Sequence, residues 1–139
     1  MIVQANTIMY NINHYATSAV TPATKQHALA ECRYMRALAL SYLVMNYGPI
    51  PIVDENYVTT LIESGGTGLP QLKRNTVPSV WKFIVKDFRY AAQNLEKTAP
   101  QTGRLTSWSA EGMLARTYLN IAGVNQNGAD GLNGTLNST

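Results

Sequence analysis

The sequence predicts an all-α chain of helix pairs with one long connection between helices. Three observations carry this: apolar residues recur every three to four positions in four segments, threonine-proline pairs open two of those segments, and alanines sit where neighbouring helices would cross.

The first segment places Ile2, Ala5, Met9 and Ile12 on one helical face, with no capping residue before Ile2. The second is predicted from Pro22 to Asn46, with Thr21 as N-cap and Gly48-Pro49 as its stop. Its later half, Ala37 to Met45, is apolar nearly all round and needs cover from several neighbours. Cys32, the one cysteine of the chain, lies at helical spacing from Ala28, Met35 and Ala39 and reads as a small core hydrophobe.

Residues 48–75 are predicted as a long connection carrying Asp54, Glu55, Asn56, Tyr57 and the turn Gly65-Gly66-Thr67-Gly68. The β-branched run Val58-Thr59-Thr60-Leu61-Ile62 is expected to form a short strand. Connections of this length are often functional.

The third helix is predicted over Val77–Lys97, capped by Thr76, with Val80, Trp81, Ile84, Phe88, Ala91 and Leu95 as its apolar stripe. Lys82, Lys86, Arg89, Gln93 and Lys97 fall off that stripe. The fourth is predicted over Ser107–Ala122, capped by Thr106 and ended by Gly123, with Leu114, Tyr118 and Ile121 on one face and Ala110, Met113 and Thr117 beside them. The organisation expected is a helical domain over 1–123 and a flexible polar tail over 124–139. Small residues at Ala37, Ala39, Ala91, Ala92, Ala110 and Ala115 suit helix pairs of the tetratricopeptide kind. So few pairs fall short of a stable solenoid, which together with the uncapped first helix suggests part of a longer chain.

Composition narrows the function. The net charge is +3, but its eleven basic residues are scattered and form no stripe for a phosphate backbone, so no nucleic-acid partner is expected. No apolar run approaches the roughly twenty residues that span a bilayer. His14 and His27 lie in no metal or nucleophile motif, and the adjacent Asp54-Glu55 do not form a facing carboxyl pair. The glycine cluster runs into Leu69-Pro70 instead of opening a helix, which argues against a phosphate cradle. Neither an enzyme nor a cofactor is expected. Trp81 belongs to the core by its stripe position. Asn56 and Tyr57 in the long connection, and Trp108 in a first helical turn, remain as candidate ligand-contacting residues, since an aromatic face with polar neighbours suits a sugar ring.

Three blocks then resemble the SusD/RagB family. The first is Ala30-Glu31-Cys32-Arg33-Tyr34-Met35-Arg36-Ala37, running on to Tyr47-Gly48-Pro49-Ile50-Pro51-Ile52-Val53. The second is Arg74-Asn75-Thr76-Val77-Pro78 through Asp87-Phe88. The third is Gly103-Arg104-Leu105-Thr106 through Leu114-Ala115-Arg116 and Tyr118-Leu119, and Gln4-Ala5-Asn6 matches the preceding helix. Met113, Cys32 and Gly48-Pro49 depart from the family's usual residues.

The resemblance implies a tetratricopeptide-like α-α superhelix in a surface-exposed outer-membrane lipoprotein. Such a protein captures glycans, or sometimes peptides or other nutrients, without catalysis or cofactor, for a SusC-like TonB-dependent transporter. It would attach to the membrane only through an upstream lipid anchor outside this sequence. It carries over no binding residue. A soluble tetratricopeptide scaffold for partner proteins is the alternative.

Overall fold

The computed structural model describes residues 1–69, 71–99 and 101–126, and among these every regular element is helical. The helices are α1 (Ile2–Tyr15), α2 (Pro22–Tyr47), α3 (Glu55–Glu63), α4 (Val77–Asn94) and α5 (Ser107–Gln126).

The predicted start signals act as expected. Thr21 accepts from the Thr24 amide at 3.2 Å and Thr76 from the Ser79 amide at 3.4 Å, each with proline in the first turn. Thr106 and Ser109 cap each other reciprocally, with Thr106 N–H donating to the Ser109 hydroxyl at 2.9 Å and Ser109 N–H donating to the Thr106 hydroxyl at 3.3 Å. Gly48 closes α2 at φ +66°, a left-handed conformation that glycine adopts without strain.

Helix α4 is the centre of the fold, packed between α2 and α5, while α1 lies against α2 and α3. Helices α2 and α4 run antiparallel, because contacts pair Arg33 with Tyr90, Tyr34 with Phe88, and Arg36 with Asp87. The α4 stripe is the core: Val80, Ile84, Phe88 and Ala91 are fully buried and Trp81 is 1% exposed. Each of the larger side chains contributes roughly 1.5–3 kcal/mol by leaving water. Ala30, Ala37 and Ala110 are also fully buried, where a small side chain lets neighbouring helices approach. Cys32 is half-buried, and burial pushes its thiol up, which fits an inert packing residue.

Three expectations need correction. Residues Val58 to Ile62 lie inside helix α3 and form no strand. Asp54 caps that helix by accepting from the Tyr57 amide at 2.9 Å, and Val58 is buried at 1% exposure. Capping and packing on α1 override the β-branched preference of an isolated run. The fourth helix does not stop at Gly123 but continues to Gln126, so the 123/124 boundary falls within it. A helical glycine costs only about 1 kcal/mol relative to alanine and does not by itself break a helix. From residue 127 the predicted tail lies outside the described residues. On the same helix the buried line passes through Ala110 and Thr117, and Tyr118 is exposed at its edge.

Tyr42, Leu43, Met45 and Tyr47 on the later half of α2 are also exposed, so that segment is covered on one side only.

Candidate functional site

The long connection is held shut at its base. The Asn75 amide donates to the Ile50 carbonyl at 2.9 Å, and the Ile52 amide donates to the Asn75 side-chain oxygen at 2.9 Å. Helix α3 and the strip after it are thereby folded against each other. Between them lies an open groove of about 360 Å³, within the usual size range of small-ligand sites.

One wall is the α3 face carrying Asn56, Tyr57 and Thr60, and the other is Gln71, Leu72, Lys73 and Asn75. The turn that reverses the chain between the walls holds Gly65, Gly66 and Gly68 at positive φ. Asp54, Thr60 and Asn75 use side-chain atoms internally: Asp54 caps α3, Thr60 donates to the Asn56 carbonyl at 3.0 Å, and Asn75 closes the loop. The Asn56 and Gln71 amides, the Tyr57 hydroxyl and the Lys73 ammonium make no hydrogen bond to the described residues. An aromatic plane beside amide donors and acceptors is chemistry suited to a hydroxyl-rich ring.

This wall is anchored from beneath. Arg36, only 1% exposed, donates from Nε and Nη2 to the two carboxylate oxygens of Asp87 at 2.8 and 2.9 Å. Its Nη1 donates to Asn6 Oδ1, and the same nitrogen stands 2.9 Å from Glu55 Oε2. Asn6 in turn donates to the Val53 carbonyl at 2.7 Å, and Arg33 lies 3.4 Å from Glu55. One guanidinium therefore ties α1, α2, α4 and the first residue of α3 together. Burial lowers the proton affinity of Arg36, but the hydrogen bonds and charges of Asp87 and Glu55 outweigh it and raise its pKa. Burial alone would raise Glu55, yet Arg36 and then Arg33 hold its carboxyl below the ordinary range. At Asp87 burial prevails over Arg36 and the carboxyl is raised.

Of the three residues singled out from sequence, Asn56 and Tyr57 are brought together in the groove. Trp108 does not line it: it is 60% exposed on α5, with the Lys97 ammonium 5.6 Å from its ring centroid. Gln71 and Lys73 had no distinguishing signal in the sequence. The Arg36 anchor did have one, because Asp87 sits on the apolar stripe of α4, between Ile84 and Ala91.

Fold and groove together define a class: an antiparallel helix-pair scaffold that carries an open groove lined by polar side chains and one tyrosine. Residues 1–119 match the family described as SusD-like_3, starch-binding associating with outer membrane. The chain belongs to this SusD-like family. A SusD-like protein of Bacteroides ovatus is 33% identical over 128 residues, covering 92% of this chain and 22% of that protein. A crystal structure determined with a xylogluco-oligosaccharide superposes with a TM-score of 0.73 at 31% identity, covering 88% of this chain and 22% of the other. A SusD-like carbohydrate-binding protein from Bacteroides fragilis gives a TM-score of 0.67 at 25% identity, covering 87% of this chain and 22% of its own. The chain thus spans about a fifth of the length of the relatives it matches. The family and the structural likeness agree with the helical-pair architecture expected from the sequence.

Proposed function

We propose that this chain is the part of a surface-exposed outer-membrane lipoprotein that helps bind glycan, without chemical conversion, for delivery to a SusC-like TonB-dependent transporter. The observation that carries the reading is the match of residues 1–119 to a starch-binding family associated with the outer membrane. The relative determined with a xylogluco-oligosaccharide supports a carbohydrate as the ligand class.

Within the chain, the groove between α3 and residues 71–75 is the proposed contact surface. Tyr57 supplies the stacking face, and Asn56 and Gln71 the hydroxyl partners. Trp108 stands outside this groove, exposed on α5.

The test is calorimetric titration of the protein with neutral oligosaccharides, including xylogluco-oligosaccharide, repeated with Tyr57→Ala and Asn56→Ala. Loss of a stacking contact worth about 0.5–1.5 kcal/mol predicts a several-fold weaker Kd for Tyr57→Ala. Unchanged binding in both variants would move the glycan contact elsewhere. No heat with any glycan, together with co-purification of a soluble protein partner, would favour the scaffold reading.

A further inference from the structure

A second groove, sharing no lining residue with the first, has a charge that the neutral-glycan reading does not use. It lies along α4 between α2 and α5, encloses about 600 Å³, and is lined by Arg33, Lys82, Lys86 and Arg89 together with Tyr90 and Tyr118, with no carboxylate in its wall. Its size falls within the usual range for small-ligand sites.

Helix α4 places Lys82, Lys86 and Arg89 at i, i+4 and i+7, which stacks three cations on one face over about 10 Å. Like charges at this spacing disfavour a helix. The acidic residue between them in sequence, Asp87, is buried against Arg36 and does not line the groove.

Aromatic groups brace the arginines. The Arg33 guanidinium carbon lies 4.1 Å from the Tyr90 ring centroid, and Arg89 Nη2 donates to the Tyr118 hydroxyl at 2.6 Å. Arg33 also approaches Glu55 at 3.4 Å, yet its Nε is buried with no hydrogen-bond partner. Lys86 and Arg89 form no ion pair with the described residues. A concave surface of one sign, walled by apolar rings, concentrates field and counter-charge.

We propose that this groove is a binding site for an anionic oligosaccharide, one bearing uronate carboxylates or sulfate esters. The cations are spread along about two turns of α4, so a ligand that meets several of them along the groove carries several acidic groups along its length. The exposed Tyr118 ring suits sugar over extended backbone. The choice of carbohydrate over acidic peptide rests on the glycan-binding reading above; the anion preference does not.

The experiment is calorimetric titration of the protein, at low and at physiological salt, with oligogalacturonate, a sulfated galactan oligosaccharide, fully methyl-esterified oligogalacturonate and a poly-glutamate peptide. Expected is binding of the uronate or the sulfated oligomer at least tenfold tighter than the uncharged ester, weakening as salt rises. Which of the two binds tighter identifies the acidic group.

In a Lys86→Gln/Arg89→Gln variant, helical by circular dichroism, the acidic oligomer should bind at least tenfold more weakly. Tyr57→Ala should leave it unchanged. Because both α4 side chains are exposed, Lys86→Glu alone serves as a second variant and should weaken binding in the same direction. Equal binding of the charged and esterified oligomers overturns the proposal, as does unchanged affinity in the variants. Poly-glutamate binding as tight as the acidic sugar also overturns it, in favour of a protein-facing patch. Absence of neutral-glycan binding to the unsubstituted protein, with the acidic oligomer still bound, would instead sink only the α3 groove.

Discussion

Replacing Asp87 by alanine should be among the most damaging single changes in this chain. The substitution removes both carboxylate oxygens that Arg36 reaches at 2.8 and 2.9 Å, at a site where each residue is 1% exposed. Hydrogen bonds to charged groups contribute about 1.5–3 kcal/mol each, so losing two amounts to about 3–6 kcal/mol. That range agrees with the roughly 3–5 kcal/mol lost when one partner of a buried ion pair is removed. Asn6 and Glu55 still contact the guanidinium, which places the expected cost near the lower end. Against a total of about 5–15 kcal/mol for a natural domain, much of the population would unfold in modest denaturant. The assay is equilibrium urea unfolding followed by far-ultraviolet circular dichroism, with Arg36→Met and the double variant Arg36→Met/Asp87→Leu measured alongside. The double variant should cost less than the two single changes together, with a coupling of up to about 3 kcal/mol, because it leaves no unpaired buried charge. A loss below about 1 kcal/mol for Asp87→Ala, or strict additivity in the double variant, would refute the account of the anchor.

Glu55→Gln tests the same anchor through pH. Because the folded-state pKa of Glu55 is lowered, its contribution is present above the unfolded value of about 4.3 and fades as pH falls through the folded one. The stability gap between wild type and Glu55→Gln, measured by urea unfolding, should therefore be constant near neutral pH and close on acidification; a gap that widens on acidification contradicts the assignment. Asp54→Ala removes the cap of α3 and should cost about 1 kcal/mol, with hydrogen exchange accelerating first at the Tyr57 amide that Asp54 accepts from. Trp108→Phe should leave a blue-shifted emission resistant to acrylamide, arising from Trp81 at 1% exposure, whereas the removed component should be the readily quenched one; easy quenching of the remaining tryptophan would contradict its burial.

How far the sequence disclosed the molecule depends on the range over which each interaction acts. Helix starts were legible because a cap acts over three residues: Thr21, Thr76 and Thr106 each meet a backbone amide three positions on. The α4 stripe was legible because its period is intrinsic to the helix. Helix α3 was misread because Val58-Thr59-Thr60 favours extended backbone locally, and what opposes it is partly tertiary, the burial of Val58. The Asp54 cap was within reach of sequence reasoning, since an aspartate before an acidic first turn is itself a start signal. The groove was half legible. Asn56 and Tyr57 stood out as an aromatic beside an amide, but Gln71 and Lys73 join them only because Asn75 ties the far end of the loop to Ile50 and Ile52. The residues that carried the family resemblance have a physical reason to stand together. Asn6, from the short match in the preceding helix, and Arg36 and Asp87, from the first two blocks, converge on one buried guanidinium. A motif scattered over more than eighty positions is thus one contact in space, and it fixes the helix that carries Tyr57.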